Sequence, residues 1–496
     1  MFLPQILRAT RSHFPTLRKF SVRSASSVTN IPYVEANIKK DQELSKTISN
    51  EITKITTLSN GVRVTSENTP GHFSAVGVYI DVGSRYETPQ TLGLSHMLDR
   101  LAFKSTKTHS IEQINSILES LGGNIMCASS REAVMYQSAI FSQDLSKVIA
   151  LFSDVIRNPC ITLKEVEEQK QTTLYEIQEI WQKPEMILPE LLHTVAFKNN
   201  TLGNPMLCPE DRLMMMTPQL IKEYISTWYR PERMVLAVAG AQHEEIVELA
   251  MKHFANQKAH YTGGSLFLDQ SIPHTHVYVA FEGLSIHDPD IYGLAILQML
   301  LGGGGSFSAG GPGKGMYSRL FTNVLNQYNW MESCMCFNHC YTDSGLFGIS
   351  ASCRPEYNHH ILDVIAQQLN SVTRFDHGGV TQSELLRAKN QLKSSLLMNL
   401  ESRMVQLEDL GRQVQVHGYK ISAEEMCKKI DKVTLEDLVR IASKVIGGQI
   451  RNEGNGTGEV TIVAQGELNG LKDMQTVCEQ YGLGKTKNSK KFKMVA

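Results

Sequence analysis

The sequence predicts an α+β protein made of two homologous halves, and three observations carry that expectation. Short marks recur at a spacing of 200: Gly83 and Gly283, Pro89 and Pro289, Gly93 and Gly293, Leu94 and Leu294, each set in the order strand, glycine, polar loop, helix. Further on, Thr162-Leu-Lys-Glu165 and Thr381-Gln-Ser-Glu384 each open a long helix with a capping box, an N-cap threonine answered three residues later by a glutamate. Thr217-Pro and Thr434-Leu-Glu-Asp then start later helices, each followed by a β-branched strand ending in glycine, Val235 to Gly240 and Val460 to Gly466. A repeated order of elements is the mark of a duplicated unit.

The chain has 496 residues, too long for a single core, and about 150 residues per domain suggests three or four. The first half opens with a hairpin, Ile55 to Leu58, a Ser59-Asn60-Gly61 turn, and Val62 to Thr65. A polar stretch from Asn256 to His274, with Gly263-Gly264 and Pro273, reads as a linker. These marks divide the chain into a leader at 1–27, a first half at 28–258, a linker at 259–275, a second half at 276–484 and a basic tail at 485–496. The leader assignment rests on Arg8, Arg11, Arg18, Lys19 and Arg23, with no acid before Glu35 and with apolar residues placed along one side of a helix. That is the composition of a mitochondrial transit peptide, and it predicts the matrix as destination.

A net charge of −1 argues against nucleic acid as the main partner. No apolar run approaches the roughly 20 residues of a membrane span, since Gly293 to Leu301 is followed at once by glycines. The nine cysteines are scattered, which points to a reducing compartment. Cys334, Cys336, His339 and Cys340 match no standard zinc spacing, and the alternation from Glu332 to Tyr341 reads as a strand.

Two segments carry the chemistry. His96-Met97-Leu98-Asp99-Arg100 has the register of the inverted zinc motif H-x-x-E-H, with Asp for Glu and Arg for the second His. On a helix, residues four apart share a face, so two imidazoles can hold a zinc ion while the carboxylate between them activates its water. Arg100 has no lone pair to offer and stays charged. Asp99 is one methylene shorter than the glutamate such a base requires. A distal third ligand would be Glu176, in an acidic helical stretch that also carries Glu165, Glu168 and Glu179. The plain alternatives are a solvated helix face for that stretch and an ordinary hydrogen-bonded role for His96. The sharper expectation is that Arg100 fills the vacated charge position and pairs with Glu176 and Asp99. The matching helix of the second half, Gly293 to Gln298, offers no ligand.

The second segment is the insert Gly302, Gly303, Gly304, Gly305, Ser306, Phe307, Ser308, Ala309, Gly310, Gly311, Pro312, Gly313, Lys314, Gly315, in which eight of fourteen residues are glycine. Ordering it is entropically costly, so a mobile loop is expected. It fails as a phosphate loop, because Gly315 follows Lys314 where Ser or Thr is needed and a helix, not a strand, precedes it. A flexible linker is the bland reading. Against it, the insert sits inside a half, between a helix and the helix-like Met316 to Leu325, and bare backbone suits contact with extended peptides of varied sequence.

With the degenerate motif at Gly93 to Ser105, the glycine insert and the transit-like start together, the chain resembles the alpha-subunit family of mitochondrial processing peptidases, a non-catalytic branch of the pitrilysin-type metallopeptidases. The resemblance covers about Ser49 to Gly482. It implies αβ-roll domains that enclose a chamber with a partner subunit, no catalytic residue and no metal at His96, Asp99, Arg100 and Glu176, and Gln169 where relatives have another acid. It implies a heterodimer whose beta subunit supplies the zinc and the cleavage, while the insert 302–315 contacts presequences of imported precursors. Acidic residues facing the chamber would attract presequence arginines; Glu165, Glu168, Glu179, Glu401, Glu408 and Asp409 are candidates on charge sign alone. Two other functions stand beside this one: a core structural subunit of the respiratory cytochrome bc1 complex, and an active zinc protease, which Arg100 opposes.

Overall fold

The protein is described here by a computed structural model covering residues 53–58, 61–198, 200–243, 264–269, 273–305, 316–376, 378–454 and 456–485. The leader, residues 306–315 of the insert, and 486–496 lie outside the described residues.

Two six-stranded sheets organise the described residues. The first comprises β1 (Thr53–Thr57), β2 (Arg63–Glu67), β3 (Phe73–Ile80), β4 (Asn124–Ser129), β5 (Val134–Phe141) and β6 (Met234–Ala239), in the order β1-β2-β6-β3-β5-β4. The second comprises β7 (Gly264–Asp269), β8 (Thr275–Glu282), β9 (Gly303–Gly305), β10 (Met331–Cys340), β11 (Gly345–Cys353) and β12 (Thr461–Gly466), in the order β7-β12-β8-β11-β10-β9. Each holds one parallel pair, β2 with β6 and β7 with β12, in otherwise antiparallel neighbours. Strands β2-β6-β3-β5-β4 therefore match β7-β12-β8-β11-β10 one for one. Each sheet adds a single strand, and at opposite ends: β1 completes the expected hairpin beside β2, whereas β9 covers the far edge of β10.

Two expectations are corrected by this layout. The stretch read as a linker at 259–275 contains β7, because Leu266 and Leu268 sit between glycines and a proline that masked a strand pattern. The glycine insert begins not as a loop but as β9, paired to Ser333, Cys334 and Met335 of β10. Downstream of it, the helix-like stretch Met316 to Leu325 is helical over 319–325. The expected strand over the cysteines is β10, with Cys334 and Cys336 buried.

Helices start where the capping chemistry places them. Thr162, Thr381 and Thr434 each accept from the backbone three residues on and complete a reciprocal box, and the long helices Leu163–Trp181 and Gln382–Leu400 follow the first two. The central strands are apolar on both faces; in β6 all six residues are buried. Such a sheet needs cover on each side. One face of the first sheet, with Val76 and Ile80 of β3, packs on the helices of its own half. The other, with Ala75 and Tyr79 of β3 and Ala237 and Ala239 of β6, is covered by Leu407, Leu410 and Val414 of the helix Arg403–His417, which belongs to the second half. The second sheet reverses the arrangement: Ala280, Leu346 and Val463 are covered by Leu188, Leu192 and Ala196 of the helix Pro184–Ala196 from the first half. The halves exchange helices.

Candidate functional site

The degenerate motif lies on the helix Leu94–Leu101. Gly93 precedes it at φ 83°, and a Cβ there would stand 2.4 Å from the Cys208 sulfur, so glycine is required on both counts. The helix start is held by Glu87, whose carboxylate accepts the N–H of Gly93 and of Ser95, each at 2.7 Å. Burial pushes that carboxyl up to about 7 despite the two hydrogen bonds, which favour the charged form.

His96 is 4 % exposed. Its Nδ1 accepts the backbone N–H of Cys208 at 3.2 Å. An amide can only donate, so the neutral ring carries its proton on Nε2, the nitrogen that faces Glu176 Oε2 at 3.8 Å. Burial, reinforced by the neighbouring Arg100 cation, holds the ring below its ordinary basicity and keeps it neutral.

Arg100 forms the expected pair. Its Nε donates to Glu176 Oε2 at 2.7 Å and its Nη2 donates to Glu176 Oε1, a two-pronged contact across the face of the helix Leu163–Trp181. Its Nη1 reaches Asp99 Oδ1 at 3.1 Å. The hydrogen bond to Glu176 raises the guanidinium pKa, and that from Arg100 lowers the pKa of Glu176. Asp99 is occupied on its other oxygen too, which accepts from Ser129 N at 3.0 Å and Ser129 Oγ at 3.1 Å at the end of β4. Arg100 and Glu176 are each about a third exposed, so the pair contributes about 1 kcal/mol rather than the larger effect of a buried one.

This donor set does not fit a metal ion. Arg100 has no electron pair to give, both oxygens of Glu176 are taken by it, Asp99 is tied to β4, and the buried His96 Nε2 that faces the site bears hydrogen. Among the described residues no group of three or more His, Cys, Asp and Glu is placed to hold one elsewhere.

The other acids proposed from charge sign separate by their contacts. Glu165 closes the Thr162 capping box and accepts from Ser105 N and Oγ, so both its oxygens are engaged within the chain. Asp409 lies 3.6 Å from Lys420 and accepts from Gln413 at 2.9 Å. Glu179 pairs with Lys183 at 3.0 Å, Glu408 with Arg412 at 2.9 Å, and Glu168 lies 3.7 Å from Lys164. Glu401 is exposed at the end of Gln382–Leu400.

The insert enters the second sheet through two demanding glycines. Gly302 has φ 57° and a Cβ would stand 2.5 Å from Ser318 Cβ; Gly303 has φ 99° and a Cβ would stand 2.0 Å from the Cys334 carbonyl oxygen. Gly304 and Gly305 meet nothing. The motif helix and this insert belong to different sheets, and sequence reasoning did not find two residues that shape the first: Glu87, which caps from six positions upstream, and Cys208, whose backbone dictates the His96 tautomer. The signal for the former was an acid shortly before a helix that lacks a Ser, Thr or Asp cap.

Residues 63–210 match the family described as Insulinase (Peptidase family M16), and residues 216–392 match the Peptidase M16 inactive domain. The chain is 48 % identical to the mitochondrial-processing peptidase subunit alpha of Neurospora crassa, over 86 % of this chain and 89 % of that one. It is 46 % identical to a probable mitochondrial-processing peptidase subunit alpha of Schizosaccharomyces pombe, over 86 % and 88 %. The human subunit alpha is 37 % identical over 88 % of both chains. The chain belongs to the alpha-subunit family of mitochondrial-processing peptidases, within peptidase family M16.

Proposed function

We propose that this chain is the non-catalytic, substrate-recognising subunit of a mitochondrial processing peptidase, which removes N-terminal presequences from imported proteins in the matrix. It pairs as a heterodimer with a beta subunit that supplies the zinc and the cleavage, and the αβ-roll halves of the two subunits enclose a chamber. The insert 302–315 contacts the presequence there. The observation that carries the reading is the Arg100 guanidinium seated on Glu176, at the place where hydrolysis would need a metal. The relatives favour it over a structural role in a respiratory complex, since they are named as processing peptidase subunits. No helix among the described residues is long and apolar enough to cross a membrane.

The test is a processing assay with the chain alone, with the beta subunit of a processing peptidase, and with residues 306–315 deleted. That deletion leaves the β9 pairing to β10 in place. The proposal expects no cleavage by the chain alone, cleavage with the partner, and weaker precursor binding with subunit pairing retained after the deletion. Unchanged binding and cleavage by the deleted form would remove the role given to the insert.

A further inference from the structure

We infer that the two halves of this chain form one cooperative unit, each completed by a helix of the other, so that neither half opens away from its neighbour. The described residues from 53 onward belong to a single compact unit, and three sets of contacts among them join its halves.

The first is the seal on the first sheet. Its second face is lined by small residues, Ala75, Ala237 and Ala239, which let the helix Arg403–His417 come close. Tyr79 stands up from that face and fits against Gly411, where a Cβ would be 2.1 Å from its ring. Its hydroxyl donates to the Leu407 carbonyl at 3.2 Å and accepts from Gln137 Nε2 at 2.9 Å. Arg63 donates to the carbonyls of Val414 at 2.6 Å and Gln415 at 3.0 Å, a cation at the negative end of the helix. Glu67, at the end of β2, accepts from Gln406 Nε2 at 2.6 Å and from Lys420.

The second is the reciprocal seal. Leu188, Leu192 and Ala196 cover the second sheet, and His193 between them is fixed at both nitrogens. Its Nδ1 donates to the Pro189 carbonyl at 2.7 Å, which leaves Nε2 to accept from the Tyr341 hydroxyl at 2.7 Å. The third is a buried ionic seam: Arg85, 2 % exposed, donates to Asp343 at 2.6 Å and to Glu132, which itself accepts from Thr342 Oγ1 at 2.6 Å. Opening the halves would strip both apolar faces and part Arg85 from Asp343, stranding charge that is now out of water. Under the processing-subunit reading, on which this consequence alone rests, room for a bound leader comes from movement between subunits and not within this one.

Hydrogen exchange of the full chain in rising urea tests the inference without any ligand. Peptides from β3 and β6 and peptides from β8 and β12 are expected to lose protection at the same urea concentration; one sheet opening while the other stays protected would overturn it. Leu410→Ala, in the second-half helix on the first sheet, should speed exchange tenfold or more in both sheets, and acceleration confined to β3 and β6 would count equally against the claim. Should that variant fail to fold, Tyr79→Phe removes a hydroxyl contact alone and is read the same way. Spin labels on unnatural side chains at the exposed Lys147 and Lys428 should give a single narrow distance population; a second, longer one would refute the fixed arrangement.

Discussion

The motif helix Leu94–Leu101 and its counterpart Ile291–Leu301 occupy the same place beside equivalent sheets, yet one ends in a partly exposed charge pair and the other is apolar nearly throughout. Ile291–Leu301 buries Leu294, Leu297, Leu300 and Leu301 in the second core, and a Cβ on Gly293 would stand 2.3 Å from Ile441. Leu94–Leu101 keeps Arg100 at the surface, where Glu176 and Asp99 meet it. One scaffold thus tolerates both a packed helix and a polar site. The two helices differ in what their last turns meet, a carboxylate at Arg100 and an apolar core at Leu300 and Leu301.

The largest expected effect probes what the halves share. Leu192→Ala and Leu410→Ala each truncate a fully buried leucine on an exchanged helix and should each cost roughly 2–5 kcal/mol in denaturant unfolding. A cost under about 1 kcal/mol for one of them would break the equivalence of the two seals.

Acidity separates the two ends of the motif helix. Glu87 has its folded pKa raised from 4.5 to about 7, so its contribution to stability is full below 4.5 and is lost as pH rises through 7; Glu87→Gln should flatten that fall. Glu176 is shifted downward by Arg100, so its contribution is present above the ordinary glutamate range and is lost as pH falls through its depressed value. Glu176→Gln should erase the acid-side loss. Thermal unfolding followed from about pH 2 to about pH 8 checks both signs, since the Glu176 loss falls below the ordinary glutamate range and the Glu87 loss above it.

Smaller again is Arg100→Ala, expected to lower stability by about 1 kcal/mol, a partly exposed pair. The double change Asp99→Glu with Arg100→His is expected to yield no leader cleavage by the chain alone, because the Cys208 amide still directs the His96 proton toward the site. Cleavage by that variant would show that the surrounding shell had kept its catalytic arrangement. At the lower limit, Lys428→Ala removes an exposed i,i+4 contact to Glu424 and should change stability by less than about 0.5 kcal/mol.

Much of this was legible in the residues. The capping boxes at Thr162 and Thr381, the Asn60-Gly61 hairpin, the cysteine-bearing strand and the Arg100–Glu176 pair follow from local patterns or from the charge a guanidinium must satisfy. The exchange of helices was not, because Pro184–Ala196 and Arg403–His417 carry ordinary apolar positions, and sequence does not say which sheet an apolar stripe will cover. A hint lay in the alanines of Met234–Ala239, a strand too apolar for one solvated face. The strand at Gly264–Asp269 was hidden by its glycine and proline flanks, and β9 by its lack of side chains, since pairing there is a matter of backbone alone.

The central claim is that Arg100 has taken the place of a metal, so this chain presents leaders and does not cut them. Metal content and leader-peptide cleavage measured together on the purified chain, without a partner, test it most directly. The account predicts no stoichiometric zinc and no cleavage; one equivalent of zinc accompanied by cleavage would contradict it.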